Sequence, residues 1–158
     1  MGQVLMEKYF RKLEKDDIGA MLDLAYKAVH ERGLADTDFD RQAFNFTVKN
    51  WFVKPTLEPL GVFLDNRLIG FAMIAYDKVF YSGRMRASID LIHVDSQYKD
   101  MNYYEQLLRF VFKMCEDKGI DLIRTSSVNY GLDSNNKEHL LYSNGFKQTD
   151  TIWEKDES

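Results

Sequence analysis

The stretch Asp90–Ile123, DLIHVDSQYKDMNYYEQLLRFVFKMCEDKGIDLI, decides the fold. It opens as a strand, turns through a polar segment and continues as an amphipathic helix. Leu107, Leu108, Val111, Phe112 and Cys115 form one apolar stripe of that helix, and Lys118-Gly119 ends it. A strand that ends in a turn and then a helix leaves unpaired backbone amides and a positive helix end, the arrangement that holds phosphate. Glycine usually shapes such a turn, and here the turn has none.

Upstream of this unit, MRASIDLIHV reads as the strand itself, with Ser88, Asp90, Ile92 and Val94 alternating onto one side and His93 onto the other. Before it, LGVFL and RLIGFAMIAY are two short apolar runs around Asp65-Asn66, which is hairpin chemistry, and Gly83 in YSGR supplies a second turn. The N-terminal third has a helical period. Ile18, Met21, Leu22, Ala25, Ala28 and Val29 share a face of one helix that starts after Asp16-Asp17 and stops at Gly33. A second helix carries Phe39, Ala43, Phe46 and Trp51 up to about Phe52, and Pro55 bars its continuation. KYFRKL, residues 8–13, is a short strand ahead of both.

Downstream, IDLIRTSSV reads as a strand, a short helix runs from about Asn136 to Ser143 before Gly145, and FKQTDTIWEK supplies one or two closing strands. The order is therefore strand, two helices, three antiparallel strands, long helix, strand, helix, strand. It predicts a mixed α/β (α+β) fold with a mainly antiparallel sheet flanked by helices. A doubly wound nucleotide fold would instead alternate strands with helices. The 158 residues fit one domain, 1–158, with no internal repeat or low-complexity linker.

Composition excludes several function classes. Twenty-one basic against 25 acidic residues give a net charge of −4 and leave no broad basic face for nucleic acid. No apolar run approaches a membrane span, and the N-terminus MGQVLMEKYF has neither a signal-peptide pattern nor the hydroxyl residue that a myristoylation signal needs at its sixth position. A lone cysteine, Cys115, permits no intramolecular disulfide and indicates a cytoplasmic protein. The three histidines His30, His93 and His139 have no metal-ligand spacing, so no metal is expected. Cys115 belongs to the helix stripe and reads as core.

The strand-turn-helix IDLIHVDSQYKDMNYYEQLL, the ID-L-I strand after the long helix and the ending HLLYSNGFKQTDTIWEK together resemble the GNAT superfamily of acyl-CoA N-acyltransferases, over nearly the whole chain. In that family the turn has a pattern like V-x-P-x-x-R-G-x-G-x-G/A and holds the pyrophosphate of the acyl-CoA. Laid on the pattern, Val94 opens it, Ser96 stands at the proline, Lys99 at the arginine, and Asp100, Asn102 and Tyr104 at the three small positions. Lys99 keeps a positive charge, Asp100 sets a carboxylate beside the expected phosphate, Asn102 tolerates the left-handed region, and Tyr104 is bulky enough to fill the approach.

The resemblance implies acetyl-CoA as co-substrate, held by Ile92, Val94, Lys99, Asp100, Met101, Asn102, Tyr103, Tyr104 and Asn135. It implies Asp90 as general base and Tyr142 as the acid that protonates the leaving thiolate, although YSNGF has one residue fewer between tyrosine and glycine than the family pattern and sets Leu141 at the motif position. Asn135, just before the short helix, is equally suited to cap it. The acceptor it implies is an amine on a small molecule or protein, with a homodimer as the assembly. The missing glycines and displaced tyrosine also fit a catalytically silent GNAT-fold protein, structural or regulatory and phage-borne, that works through protein contacts. Loop residues near Tyr81 to Arg84 are the expected place for acceptor specificity.

Overall fold

The computed structural model describes residues 7–31, 40–125, 134–149 and 155, with the side chains of 31, 99–101 and 134–138 outside the description. Strand β1 spans Lys8–Lys12 and leads through a 3-10 turn, Lys15–Asp17, into helix α1, Ile18–Glu31, and then α2, Arg41–Trp51. Strands β2 (Leu57–Leu64), β3 (Arg67–Lys78) and β4 (Met85–Val94) follow. A second 3-10 turn, Ser96–Met101, precedes helix α3 (Tyr103–Asp117), then strand β5 (Leu122–Thr125) and helix α4 (Ser134–Ser143). The five strands lie in the order β1-β2-β3-β4-β5, antiparallel except for the parallel β4–β5 pair. The expected mixed, mainly antiparallel sheet is therefore the one observed.

Turn chemistry explains the connections. Asp65 and Asn66 both adopt positive φ, 49° and 66°, which gives the tight β2–β3 hairpin its matching twist. Gly119 at φ 72° ends α3, with Ile120 N–H returning to the Cys115 carbonyl at 2.8 Å. In the 3-10 turn that leads into α1, the Asp17 carboxylate accepts from Glu14 N–H at 2.7 Å, so Asp17 takes part in the cap, as read from the sequence.

Helices cover the two faces of the sheet unequally. On one face α3 lays Leu107, Leu108, Val111 and Cys115 against Leu60, Val62, Ile74, Ile89 and Ile92, all essentially buried. On the other, Met21 and Leu24 of α1 and Val48 of α2 meet Phe63, Leu68 and Phe71. The apolar side of α2 is Phe44, Val48 and Trp51, at i, i+4 and i+7. Phe46 and Ala43, expected to share it, face outward, with Phe46 70% exposed. Phe39 and Gly33 lie outside the described residues.

A bulge in β4 corrects the expected alternation. Met73 pairs with Leu91 and Ile74 with Ile89, so Asp90 has no opposite number on β3. The side-chain phase shifts there: Ala87 and Ile89 point with Ile92 and Val94 toward α3, and Ser88 falls on the other face instead of beside Ile92. His93, opposite Ile92 as expected, is buried. Of the expected closing strands, residues 146–149 are irregular and the rest lies outside the described residues.

Candidate functional site

The bulge lies one residue beyond the last described rung of the β4–β5 ladder. Their parallel ladder runs from Arg86 opposite Leu122 to Ile89 opposite Thr125 and goes no further among the described residues. Leu91–Val94 pair with β3 on one side. Immediately beyond, Asp95 N–H is held by the Ile69 carbonyl at 2.7 Å, and the chain enters the 3-10 turn that leads to α3. A bulge, a strand end and a helix N-terminus thus occur in succession along one chain segment.

Asn102 makes the turn work without glycine. It occupies the left-handed region at φ 59°, ψ 23°, where asparagine is the best-tolerated substitute for glycine. It makes no side-chain cap on α3, so the first amides of that helix are not closed off by their own N-cap residue. Tyr104 does not fill the approach to the turn, as its bulk suggested: it is 4% exposed and packs into the core under α3, beside Tyr103. The sheet takes the ring because α3 turns its first residues inward. The side chains of Ile92 and Val94 are likewise in the core. Lys99, Asp100 and Met101 belong to the turn, and their side chains lie outside the described residues.

Asp95 anchors this turn and went unnoticed in the sequence. Its buried carboxylate accepts from Gln97 N–H at 3.1 Å and from Lys27 Nζ of α1 at 2.6 Å, with Arg67 4.0 Å away. Burial pushes its pKa up, but hydrogen bonds from Lys27 and Gln97 outweigh that and hold it below the usual carboxylate value. The ion pair ties α1 to the turn. An aspartate directly after the strand, as an N-cap for the next turn, was the available signal.

Asp90, in the bulge, is exposed to solvent, yet the protein around it removes enough water to raise its pKa, against the opposing pull of Arg124. Tyr142, in the last turns of α4, is 58% exposed, and its hydroxyl has no hydrogen-bond partner among the described residues. No hydrogen bond joins Asp90 and Tyr142. Leu141, at the family's tyrosine position, packs with Leu140 against the α3 core. Asn135 is the second residue of α4 rather than the residue before it, because the helix begins at Ser134. Cys115 is fully buried, and burial pushes its thiol up to about 11, which keeps it protonated and inert at neutral pH.

Residues 18–146 match the model of the acetyltransferase (GNAT) family. The chain belongs to the GNAT family. No curated protein sequence matches it. Among solved structures, the fold is similar to a possible acetyltransferase from Clostridium difficile 630, with 15% identity, coverage of 94% of this chain and 97% of that one, and a TM-score of 0.75. It is equally similar to a predicted acetyltransferase from Clostridium acetobutylicum solved with acetyl-CoA, at 15% identity, 95% and 96% coverage and a TM-score of 0.75. An aminoglycoside acetyltransferase from an uncultured soil metagenomic sample, in complex with sisomicin, follows at 13% identity, 95% and 97% coverage and a TM-score of 0.69. At such identities the likeness shows the fold. Among the described residues, no helix of this GNAT chain is long and apolar enough to cross a membrane.

Proposed function

We propose that this GNAT chain is an N-acetyltransferase of the cytoplasm that moves an acetyl group from acetyl-CoA to an amine. The observation that carries the reading is the segment from the β4 bulge to α3: a bulged strand, then a left-handed Asn102, then a helix start without a side-chain cap from Asn102. Backbone donors do not depend on side-chain identity, so a glycine-free turn that keeps this path still offers amides and a helix dipole to a pyrophosphate. The backbone of Ile92 and Val94 would hold the pantetheine arm. Residues 99–104 would hold the pyrophosphate, with Lys99 adding charge, and Asn135 would line the channel from α4.

In this reading Asp90 is the base. Its raised pKa brings it closer to neutrality than an ordinary aspartate, which improves proton transfer. The ammonium of the acceptor gives a proton to Asp90, directly or through a water. The neutral amine then attacks the thioester carbonyl, a C–N bond forms, the C–S bond breaks, and the amide nitrogen loses its second proton to solvent. The thiolate takes a proton from the Tyr142 hydroxyl, which solvent restores.

Titration calorimetry with acetyl-CoA and with desulfo-CoA tests the donor site directly. Saturable micromolar binding of both is the expected result. Absence of binding up to millimolar ligand would overturn the reading and transfer interest to a silent GNAT scaffold. A thiol-release assay with a panel of amines tests the chemistry.

A further inference from the structure

The apolar cluster under α1 and α2 reaches Leu91 of β4, and beyond it this face of the sheet carries a strip of polar and charged residues on β3, β4 and β5. Asp77 of β3 lies opposite Arg86 of β4, and Arg124 of β5 lies opposite Ser88 of β4. Two of these charges are spent on each other: Arg86 closes a fork on Asp77, Nε to Oδ1 at 3.1 Å and Nη2 to Oδ2 at 2.6 Å. Arg124 is different. Its Nε–H donates to Ser88 Oγ at 2.9 Å, an uncharged and buried acceptor, and its two terminal nitrogens bond to nothing among the described residues. The Asp90 carboxylate, in the bulge one residue past the last described β4–β5 rung, likewise makes no hydrogen bond among the described residues. With the Asp77–Arg86 pair subtracted, one carboxylate and one guanidinium remain on adjacent strands, close enough to feel each other's charge and not bonded together.

An arginine held at Nε by a hydroxyl presents its other edge as a rigid pair of donors, the shape that takes a carboxylate with two hydrogen bonds. A nearby carboxylate takes an ammonium. We propose that Asp90 and Arg124 together form a receptor for a zwitterion, so that the acceptor is a free amino acid or a similar small molecule with its carboxylate near the amine that is acetylated. Arg124 fixes the carboxylate, Ser88 positions Arg124, and the amine is thereby set beside Asp90. The inference rests on the acetyl-transfer reading, in which Asp90 is the base, and names its substrate class. An acceptor without an anionic group, such as a polyamine or an aminoglycoside, would leave the Arg124 donors unused and add a second cation beside them.

Ligand-observed NMR with the free L-amino acids and with the same set as carboxamides, each with and without acetyl-CoA, tests this on the whole chain. At least one free acid should bind about 10- to 100-fold more tightly than its carboxamide, the loss expected for a pair of charge-assisted hydrogen bonds. Arg124→Gln should abolish that preference, and Arg124→Lys, which keeps the charge without the fork, should restore only part of it. Arg109→Gln, midway along α3 on its exposed side, is the control and should leave it unchanged. Equal binding of acid and carboxamide, no binding of any free acid, or an acid preference that survives in Arg124→Gln would overturn the inference. Calorimetry with acetyl-CoA is read separately. Donor binding without an acid preference removes the zwitterion receptor and leaves acetyl transfer standing; an acid preference without donor binding does the reverse.

Discussion

The two faces of the sheet are built on different terms. Under α3 the apolar surface is continuous from Leu60 to Val94, and Leu107, Leu108, Val111 and Cys115 of the helix stripe are buried, with Phe112 partly buried beside them. Under α1 and α2 it reaches Phe71 and Leu91 and then gives way to Asp77, Arg86, Ser88 and Arg124. A covered apolar face gains its stability by excluding water, whereas a polar strip gains little from burial, because its groups must trade water for hydrogen-bond partners. The core face should therefore be intolerant of truncation and the other forgiving. Leu107→Ala is expected to lose about 2–5 kcal/mol in denaturant unfolding, from lost burial and a cavity. Leu91→Ala, half-buried on the other face, should lose about 1–2 kcal/mol. Equal losses would break the contrast and mean that the second face is covered as well as the first.

A smaller effect is expected where the two faces are tied together. Lys27 of α1 reaches the buried Asp95 carboxylate at the start of the turn to α3. Lys27→Met should leave that carboxylate short of a donor and cost about 1–3 kcal/mol. The pH dependence follows from the lowered pKa of Asp95: its contribution is complete above the ordinary aspartate value and fades as pH falls through the lower folded value. Melting curves of Lys27→Met against pH should thus converge on those of the parent in acid. A gap that persists into acid would mean that Lys27 acts through packing alone.

Most of the architecture was legible because it rests on local signals. Asp65-Asn66, Gly83, Gly119 and the α3 stripe each announce a turn or a period from the residues themselves, and β4 was placed with its observed ends, Met85–Val94. What could not be read depends on partners. The bulge at Asp90 exists only in the pairing of β4 with β3, and the sequence SIDLI alternates well enough on its own to suggest an unbroken strand. The same holds for α2, where Phe46 fits an apolar stripe as well as Phe44 does until the sheet chooses between them. At the candidate site, Asn102 was legible because its left-handed tolerance is intrinsic, whereas the inward turn of Tyr104 and the Ser88–Arg124 bond are tertiary facts.

Asn102 sharpens the comparison from the side of the donor turn. Because the conformation matters and the side chain makes no cap, Asn102→Gly should leave acetyl-CoA affinity within about 2-fold of the parent. Asn102→Val, strained by about 1–3 kcal/mol in the left-handed region, should weaken binding about 10-fold as the turn shifts to relieve it. Equal tolerance of both, read by calorimetry, would move the phosphate site away from this turn.

The smallest effect on stability is expected at Asp90, and its sign separates a working carboxylate from a supporting one. Its pKa is raised by desolvation, so between the ordinary aspartate value and the folded value the native state holds more protons than the unfolded state, and stability falls as pH rises through that window. Asp90→Asn removes the cost of the charge and should melt slightly higher than the parent at neutral pH, with the gain vanishing in acid. Acetyl transfer should change the other way. Activity of the parent should fall in acid with a limb displaced above the ordinary aspartate value, and Asp90→Asn should lose activity together with that limb. A variant that is both more stable and less active is the mark of a charge kept in the bulge for chemistry, since a carboxylate retained for the fold would cost stability when removed.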